Sequence, residues 1–349
     1  IDNPFDGVVA IASNTLLSGQ PLLDASASSP DQGAILPYAL AADSTIGPAS
    51  TRIWHGTGNI PDRLGSATAA DGDWIMTSAP GSDAAGIDRE ALYWFKRQVD
   101  GVWQLRQTVV GATAASGACS LAISGDLAAV GRCGETVGGV AQRGSVAMYR
   151  RQPDDQWTEL CALAPVDPTV TLFGSSVALS PAGIWVSSRQ QNATGFKVDS
   201  YPLPTSGCQT GRVLATPTSG QDYRFGNNSL SGARGVLTLQ CLNNPCTSSV
   251  LVYEQSGGIW TSVQTITLAP PTGNNVERPF FTALDGDRLA VAISVPIGSS
   301  IDSRIVVRLY ERPGAEFTFV RTIEPSAGSN IIGVPLALRG DTLLLDDDS

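Results

Sequence analysis

The chain has 349 residues, 42% hydrophobic and only 15% charged, with 37 glycines, 22 prolines and two methionines, which excludes a disordered chain and a helical bundle rich in Ala, Glu and Lys. Its net charge of −10, from 22 Lys and Arg against 32 Asp and Glu, argues against nucleic acid or an anionic membrane as a main partner. No apolar run approaches the roughly 20 residues of a spanning helix, so no membrane insertion is expected.

The predicted elements are strands in repeated units, taken here in chain order. Unit one, about 5–62, opens with "VVAIASNTLLSG", two apolar runs turning at Asn14. Unit two, 63–110, carries "RLGSA", the turn "DGDWIMT", the strand "LYWFKR" and Trp103. Unit three, 111–165, reads "CSLAIS", "SGDLAAV", "SVAMYRR", the turn "QPDD" and "WTELCAL". Unit four, 166–217, has "LFGSS" and the weaker turn "SPAGIWV". Unit five, 218–270, has "RFGNN", "GARGVLT", "SVLVYEQ" and "WTSVQTITL". Unit six, 271–325, has "DGDRLAV", "RIVVRLYER" and Phe317. A partial unit, 326–349, ends with "IIGVP" and "RGDTLLL".

Three registers share this period. The Gly-Asp turns place Asp73, Asp126, Asp287 and Asp341 at gaps of 53, 161 and 54, the middle gap being about three periods. A glycine precedes the small-residue strands at Gly7, Gly65, Gly117, Gly174, Gly226 and Gly333. Aromatics recur at Phe95, Tyr149, Tyr253 and Tyr310, each followed seven or eight residues later by Trp103, Trp157, Trp260 or Phe317. Each unit therefore reads as strands A to D. A and B are nearly continuous in apolar residues, as for strands buried on both faces, and C and D alternate as near an outer rim. Gly and Asp are read at the A–B turn as the residues that tolerate positive φ. The expected fold is all-β: one seven-bladed β-propeller of four-stranded antiparallel blades over 1–349, the last blade incomplete.

Six cysteines, without a CxxC pair or a Cys/His cluster, favour disulfides in an oxidising compartment over structural zinc. The pairs expected are Cys119–Cys133 across the Gly125-Asp126 hairpin, Cys241–Cys246 around "LNNP", and Cys161–Cys208 between neighbouring outer strands. A start at Ile1 fits a processed secretory protein or a trimmed chain. The sequons at Asn192 and Asn227 matter only in a eukaryotic source.

Phe173-Gly174, Phe225-Gly226, the variant Leu64-Gly65, "SAPG" from Ser78 to Gly81, and the third strands "GSVAMYRR" and "SSVLVYEQ" resemble the FG-GAP repeat family. That family includes the propellers of integrin α subunits and many bacterial secreted proteins. The resemblance covers residues 5 to 349 and implies a seven-bladed, extracellular binding scaffold. It also implies calcium in some B–C loops, through spaced carboxylates. Here those loops offer only Asp83 with Asp88, short of the about six to eight oxygens calcium takes. No cofactor is expected, with calcium left open because backbone carbonyls can contribute.

Catalytic signals are sparse. No GxSxG, HExxH or P-loop occurs, and the only histidine is His55 in "RIWHGTGN", read as structural or solvated. No carboxylate pair stands out, and the tail Asp346-Asp347-Asp348 reads as a solvated chain end. Trp103, Trp157 and Trp260 share a blade position and read as packing. Trp54, Trp74, Trp94 and Trp185 fall outside that register, where an exposed ring could stack on a sugar or a partner. Arg339-Gly340-Asp341, the tripeptide of integrin ligands, is turn grammar plus one variable arginine. No catalytic, metal or cofactor residue is assigned. The expected function is a non-catalytic, secreted or cell-surface scaffold binding a protein or glycan through rim loops, and not an enzyme. The alternatives are a polysaccharide-acting enzyme with carboxylates at the propeller mouth, and a subunit completed by inter-chain strand addition at the partial last blade.

Overall fold

The computed structural model describes residues 9–24, 31–41, 46–54, 62–82, 90–111, 117–190, 196–215, 223–241, 247–269, 276–296, 303–324 and 336–345. His55, Asp83, Asp88, Asn192, Cys246 and Asp346 to Asp348 lie outside them.

All named elements are strands. The first sheet is β1 (Val9–Ala12), β2 (Thr15–Gln20), β3 (Ala34–Leu40) and β4 (Ile46–Ala49). The second is β5 (Thr68–Asp71), β6 (Trp74–Ala79), β7 (Ala91–Arg97) and β8 (Trp103–Val110). The third is β9 (Ser120–Ser124), β10 (Leu127–Arg132), β11 (Ser145–Arg151) and β12 (Trp157–Leu163). The fourth is β13 (Val170–Ser180), β14 (Gly183–Gln190), β15 (Phe196–Tyr201) and β16 (Arg212–Ala215). The fifth is β17 (Tyr223–Ser231), β18 (Arg234–Cys241), β19 (Ser249–Ser256) and β20 (Ile259–Thr267). The sixth is β21 (Arg278–Asp285), β22 (Arg288–Pro296), β23 (Ser303–Glu311) and β24 (Thr318–Ile323). Within each sheet, strands follow one another in chain order, as in the blades of a β-propeller.

Among the described residues the blade count is six, not the expected seven. After the sixth, the described residues form only the hairpin of β25 (Leu336–Arg339) and β26 (Thr342–Leu345), a two-stranded sheet. Residues 336–345 supply an A–B pair and no outer pair, so this hairpin is not a blade. The chain divides into two compact units. One holds residues 1–164, 171–177 and 204–209, and the other holds 165–170, 178–203 and 210–349.

Core burial differs from the reading of A and B as the buried pair. Strands B and C carry it: β6, β7, β10 and β11 are buried over at least their first five residues, whereas β9 is mostly half-buried. The reason is position. Strand A is a sheet edge with one neighbour, while B and C have strands on both sides and sheets packed on both faces. In the first unit, Trp94 stacks on Trp157 with ring centroids 4.3 Å apart, and Trp74 meets Trp157 edge-on at 5.6 Å. In the second, Trp185 packs edge-on against Tyr253 and Trp260. Trp74, Trp94 and Trp185 are thus interior and present no stacking platform. Trp54 remains partly exposed, with the Arg52 guanidinium 5.8 Å over its ring.

The glycine register marks close approach between blades. Gly131 Cα lies 2.9 Å from the place a Cβ on Gly174 would occupy, and Gly19 Cα stands in the same relation to Gly65 at 3.0 Å. At the Gly-Asp turns only the glycine takes positive φ: Gly72 at 56°, Gly125 at 63°, Gly286 at 55° and Gly340 at 53°. The following aspartates do not, contrary to the expectation for both residues. Successive turns are also tied together. Asp71 accepts from the Gly125 N–H at 2.8 Å, and Asp285 accepts from the Gly340 N–H at 2.6 Å. Asp341 is ion-paired with Arg288, which also donates to the Gly340 carbonyl at 3.0 Å. Two residues of the Arg-Gly-Asp tripeptide are therefore engaged by the neighbouring turn.

Cys119 is bonded to Cys133 and Cys161 to Cys208, with Cα–Cα distances of 5.8 and 5.5 Å. Cys241 is also disulfide-bonded. The hairpin register pairs Ser124 with Leu127 and Ser120 with Gly131, so the turn centres between Gly125 and Asp126. Cys119 and Cys133 lie just beyond the last pair rather than squarely opposite.

Candidate active site

Glu90 immediately precedes β7 and is 2% exposed. Its backbone carbonyl accepts from the Gly111 N–H at 2.7 Å, and its carboxylate accepts from the Ala118 N–H in the crossing to the third blade. Burial raises its pKa from 4.5 to about 7, against the lowering effects of the Ala118 N–H and the Arg132 charge, with Glu135 adding to the rise.

Two other buried carboxylates have the same structural task. Asp199 accepts from the Val166 N–H at 3.2 Å, and Glu277 accepts from the Ala269 N–H at 3.1 Å. Both have a cation: Lys197 lies 3.8 Å from Asp199, and Arg308 holds Glu277 through two hydrogen bonds of 2.8 and 2.6 Å. Burial raises the Asp199 pKa too, with Lys197 opposing. Among the described residues, Glu90 alone of the three makes no ion pair, which sets it apart from the other two.

Around Glu90 the third blade contributes a charged set. Arg132 ends β10 and donates to the Tyr149 hydroxyl at 3.1 Å, which donates to Glu159 at 3.2 Å. Burial pushes the Tyr149 pKa up to about 12, so its proton stays in place. Glu135 sits in the turn after β10; its N–H donates to the Arg132 carbonyl at 3.1 Å and its carboxylate accepts from the Ser145 hydroxyl. The Cys119–Cys133 bond joins the strand ends that carry Ala118 and Arg132, and so holds donor and cation in place about Glu90. Nearby on the second blade, Tyr93 and Ser82 share a hydrogen bond at 2.9 Å, with buried Asp62 close enough to raise the tyrosine pKa further beyond the effect of burial. Among the described residues, no group of three or more His, Cys, Asp or Glu is arranged to hold a metal ion.

None of Glu90, Arg132 or Glu135 was singled out from the sequence. The only available hint was spacing: Glu90 and Glu135 fall in the B–C segments of successive units. The cysteine pair is the part of this region that the sequence did point to.

No protein-family model matches the chain, and no curated protein does. Solved structures do. A protein from Lactobacillus plantarum matches with a TM-score of 0.56 at 16% identity, over 91% of this chain and 84% of that one. A Bacteroides fragilis protein provisionally named a 6-phosphogluconolactonase matches with a TM-score of 0.53 at 12% identity, over 93% and 85%. A prolyl endopeptidase matches with a TM-score of 0.54 at 13% identity, over 93% of this chain and 42% of the peptidase. At such identities the likeness establishes the β-propeller fold. The expectation of a non-catalytic binding or adhesion scaffold that is not an enzyme is corrected, because two of these three matches are named as enzymes and the fold is therefore no ground for a non-catalytic role. The physical reason is that a propeller builds a site from residues of separate blades, which leaves no contiguous motif to read. The disulfides point to an oxidising, extracellular or periplasmic location.

Proposed function

We propose that this chain is a hydrolase that opens an ester bond in a sugar-derived substrate, with Glu90 as its proton carrier. One observation carries the reading: a buried carboxyl that keeps its proton up to about pH 7, beside an arginine, with neither of them in an ion pair among the described residues. A group with pKa near the working pH can both take and give a proton within one cycle. As carboxylate, Glu90 takes a proton from water as the water oxygen adds to the acyl carbon. Arg132 faces the negative charge that develops on the acyl oxygen. Glu90 then gives the proton to the departing ring oxygen, so one water is added and an acid and an alcohol result. Glu135, held as an acceptor by Ser145, sustains the proton affinity of Glu90.

The substrate class rests on fold-level analogy to the Bacteroides fragilis protein. Phe173-Gly174 and its counterparts support kinship with FG-GAP repeats within the propellers, and the disulfides support export from the cytosol. The reaction uses only this chain's own groups, so activity is expected to survive a chelator. The test is hydrolysis of a panel of sugar lactones, with and without phosphate, followed by pH-stat. Glu90→Gln is expected to lose about 10²- to 10⁴-fold in rate, and Glu135→Gln to move the pH profile's limb near 7 downward. Full activity in Glu90→Gln, or no hydrolysis across the panel, refutes the reading.

A further inference from the structure

The Arg132 guanidinium has a fixed partner. It donates to the Tyr149 hydroxyl at 3.1 Å, and that hydroxyl donates to Glu159 at 3.2 Å. Tyr149 stands on β11 and is 2% exposed, while Glu159 stands in register with it on β12 and is exposed. On β10, Ala128 is in register with Tyr149, and Arg132 comes four residues later. Alternation therefore puts Arg132 and Tyr149 on one face of the third sheet. The bonded chain runs inward from the outer strand β12 to the charge that acts on Glu90.

The other sheets show that blade packing does not call for this chain. Phe95, Tyr253 and Tyr310 occupy the same place, directly after a register shift in β7, β19 and β23. Their partners on the outer strand are Leu105, Ser262 and Phe319, where Tyr149 has Glu159. Four residues beyond their partners on strand B stand Ala79, Leu239 and Ile293, where the third sheet has Arg132. Of these four sheets, arginine and glutamate flank the aromatic only in the third, the one that faces Glu90. Tyr253 is buried, yet its hydroxyl makes no hydrogen bond among the described residues, so ring burial by itself needs neither group.

We propose that Tyr149 and Glu159 are positioning residues, which hold the Arg132 guanidinium toward Glu90 and the acyl oxygen of the substrate. The kinetic part of this inference rests on the hydrolase reading of Glu90. An arginine head left alone samples many rotamers, and a donor stabilises an oxyanion only where its N–H already points. The tyrosine hydroxyl has one proton to give and lone pairs with which to accept. A carboxylate can only accept, so Glu159 takes the proton and leaves the lone pairs to Arg132. A charged acceptor behind the hydroxyl also strengthens the bond in front of it. Burial keeps the proton on Tyr149, whose pKa is pushed up to about 12.

The test reads three variants of the full chain in two ways. Tyr149→Phe keeps the ring and removes the hydroxyl, Glu159→Leu removes the acceptor, and Glu159→Gln keeps an acceptor without the charge. Glu159 is exposed, so its variants are expected to fold. With the lactone that the wild type opens fastest, Tyr149→Phe and Glu159→Leu should each lower kcat about tenfold at unchanged KM, because the acyl oxygen is charged only in the transition state. Glu159→Gln should recover most of that loss. The double variant should be no slower than Tyr149→Phe, since Glu159 acts through the hydroxyl. The second reading needs no substrate: titration of the Glu90 carboxyl carbon by ¹³C NMR. The Arg132 charge and the Ala118 N–H lower the Glu90 pKa while Glu135 raises it, so a guanidinium released in Tyr149→Phe or Glu159→Leu should move the titration upward from about 7. Absence of hydrolysis by the wild type would refute the hydrolase reading alone, and the titration would still decide whether Tyr149 and Glu159 hold Arg132. A Glu90 titration unmoved in both variants overturns the proposal. So do a raised KM at unchanged kcat, and a double variant in which the two losses multiply.

Discussion

Replacing Glu90 by glutamine removes one titration and keeps the acceptor for the Ala118 N–H. The native carboxyl titrates near 7 and its unfolded counterpart at 4.5. Between those values the unfolded chain has released a proton that the folded chain still holds, so stability falls as pH rises through this window. Below 4.5 both states are protonated and the contribution is fully present; above about 7 it is lost. The interval from 4.5 to about 7 is about 2.5 units, or about 3 kcal/mol at 1.36 kcal/mol per unit. Glu90→Gln is therefore expected to match the wild type near pH 4 and to exceed it by about 3 kcal/mol at pH 8. Urea unfolding at the two pH values, followed by tryptophan fluorescence, measures it, because Trp94 and Trp157 are stacked in the same compact unit as Glu90. A stability difference between variant and wild type that is the same at both pH values refutes the reasoning, since it would mean that Glu90 titrates alike in both states.

Gly131→Ala is expected to cost about 3 kcal/mol, because the new Cβ would stand 2.1 Å from the Gly174 carbonyl oxygen; a thermal midpoint equal to the wild type's would contradict this. Cys161→Ser with Cys208→Ser opens a loop with a sequence separation of 47, for a loss of about 4 kcal/mol, read from denaturant unfolding against the same variant pair in a reduced sample. Arg339→Ser leaves Gly340 and Asp341 engaged by Asp285 and Arg288, so stability should move by less than about 0.5 kcal/mol and cell adhesion should not change; integrin-dependent adhesion lost in that variant would show the tripeptide to be a ligand.

The sequence by itself determined the repeat. A period near 53 is written in three residue classes, each tied to a local requirement: positive φ at Gly72 and Gly125, near contact at Gly131 and Gly174, and ring packing at Trp157 and Trp260. Such requirements recur in every blade, so they survive as spacing. The blade count was less legible, because an A–B pair such as β25–β26 satisfies the turn and glycine registers without a C–D pair. Strand burial was misjudged for a similar reason: apolar content marks a strand as suited to burial, but sheet order decides that β9 is an edge. The candidate site was not legible at all. Glu90 and Glu277 look alike in sequence, each an acid immediately before a strand. Only the folded chain shows that Arg308 neutralises one while the other, buried and in no ion pair among the described residues, meets the charges of Arg132 and Glu135 from the next blade. A pKa depends on which charges and how much water surround a group in space, and that is set by tertiary contacts between residues far apart in the chain.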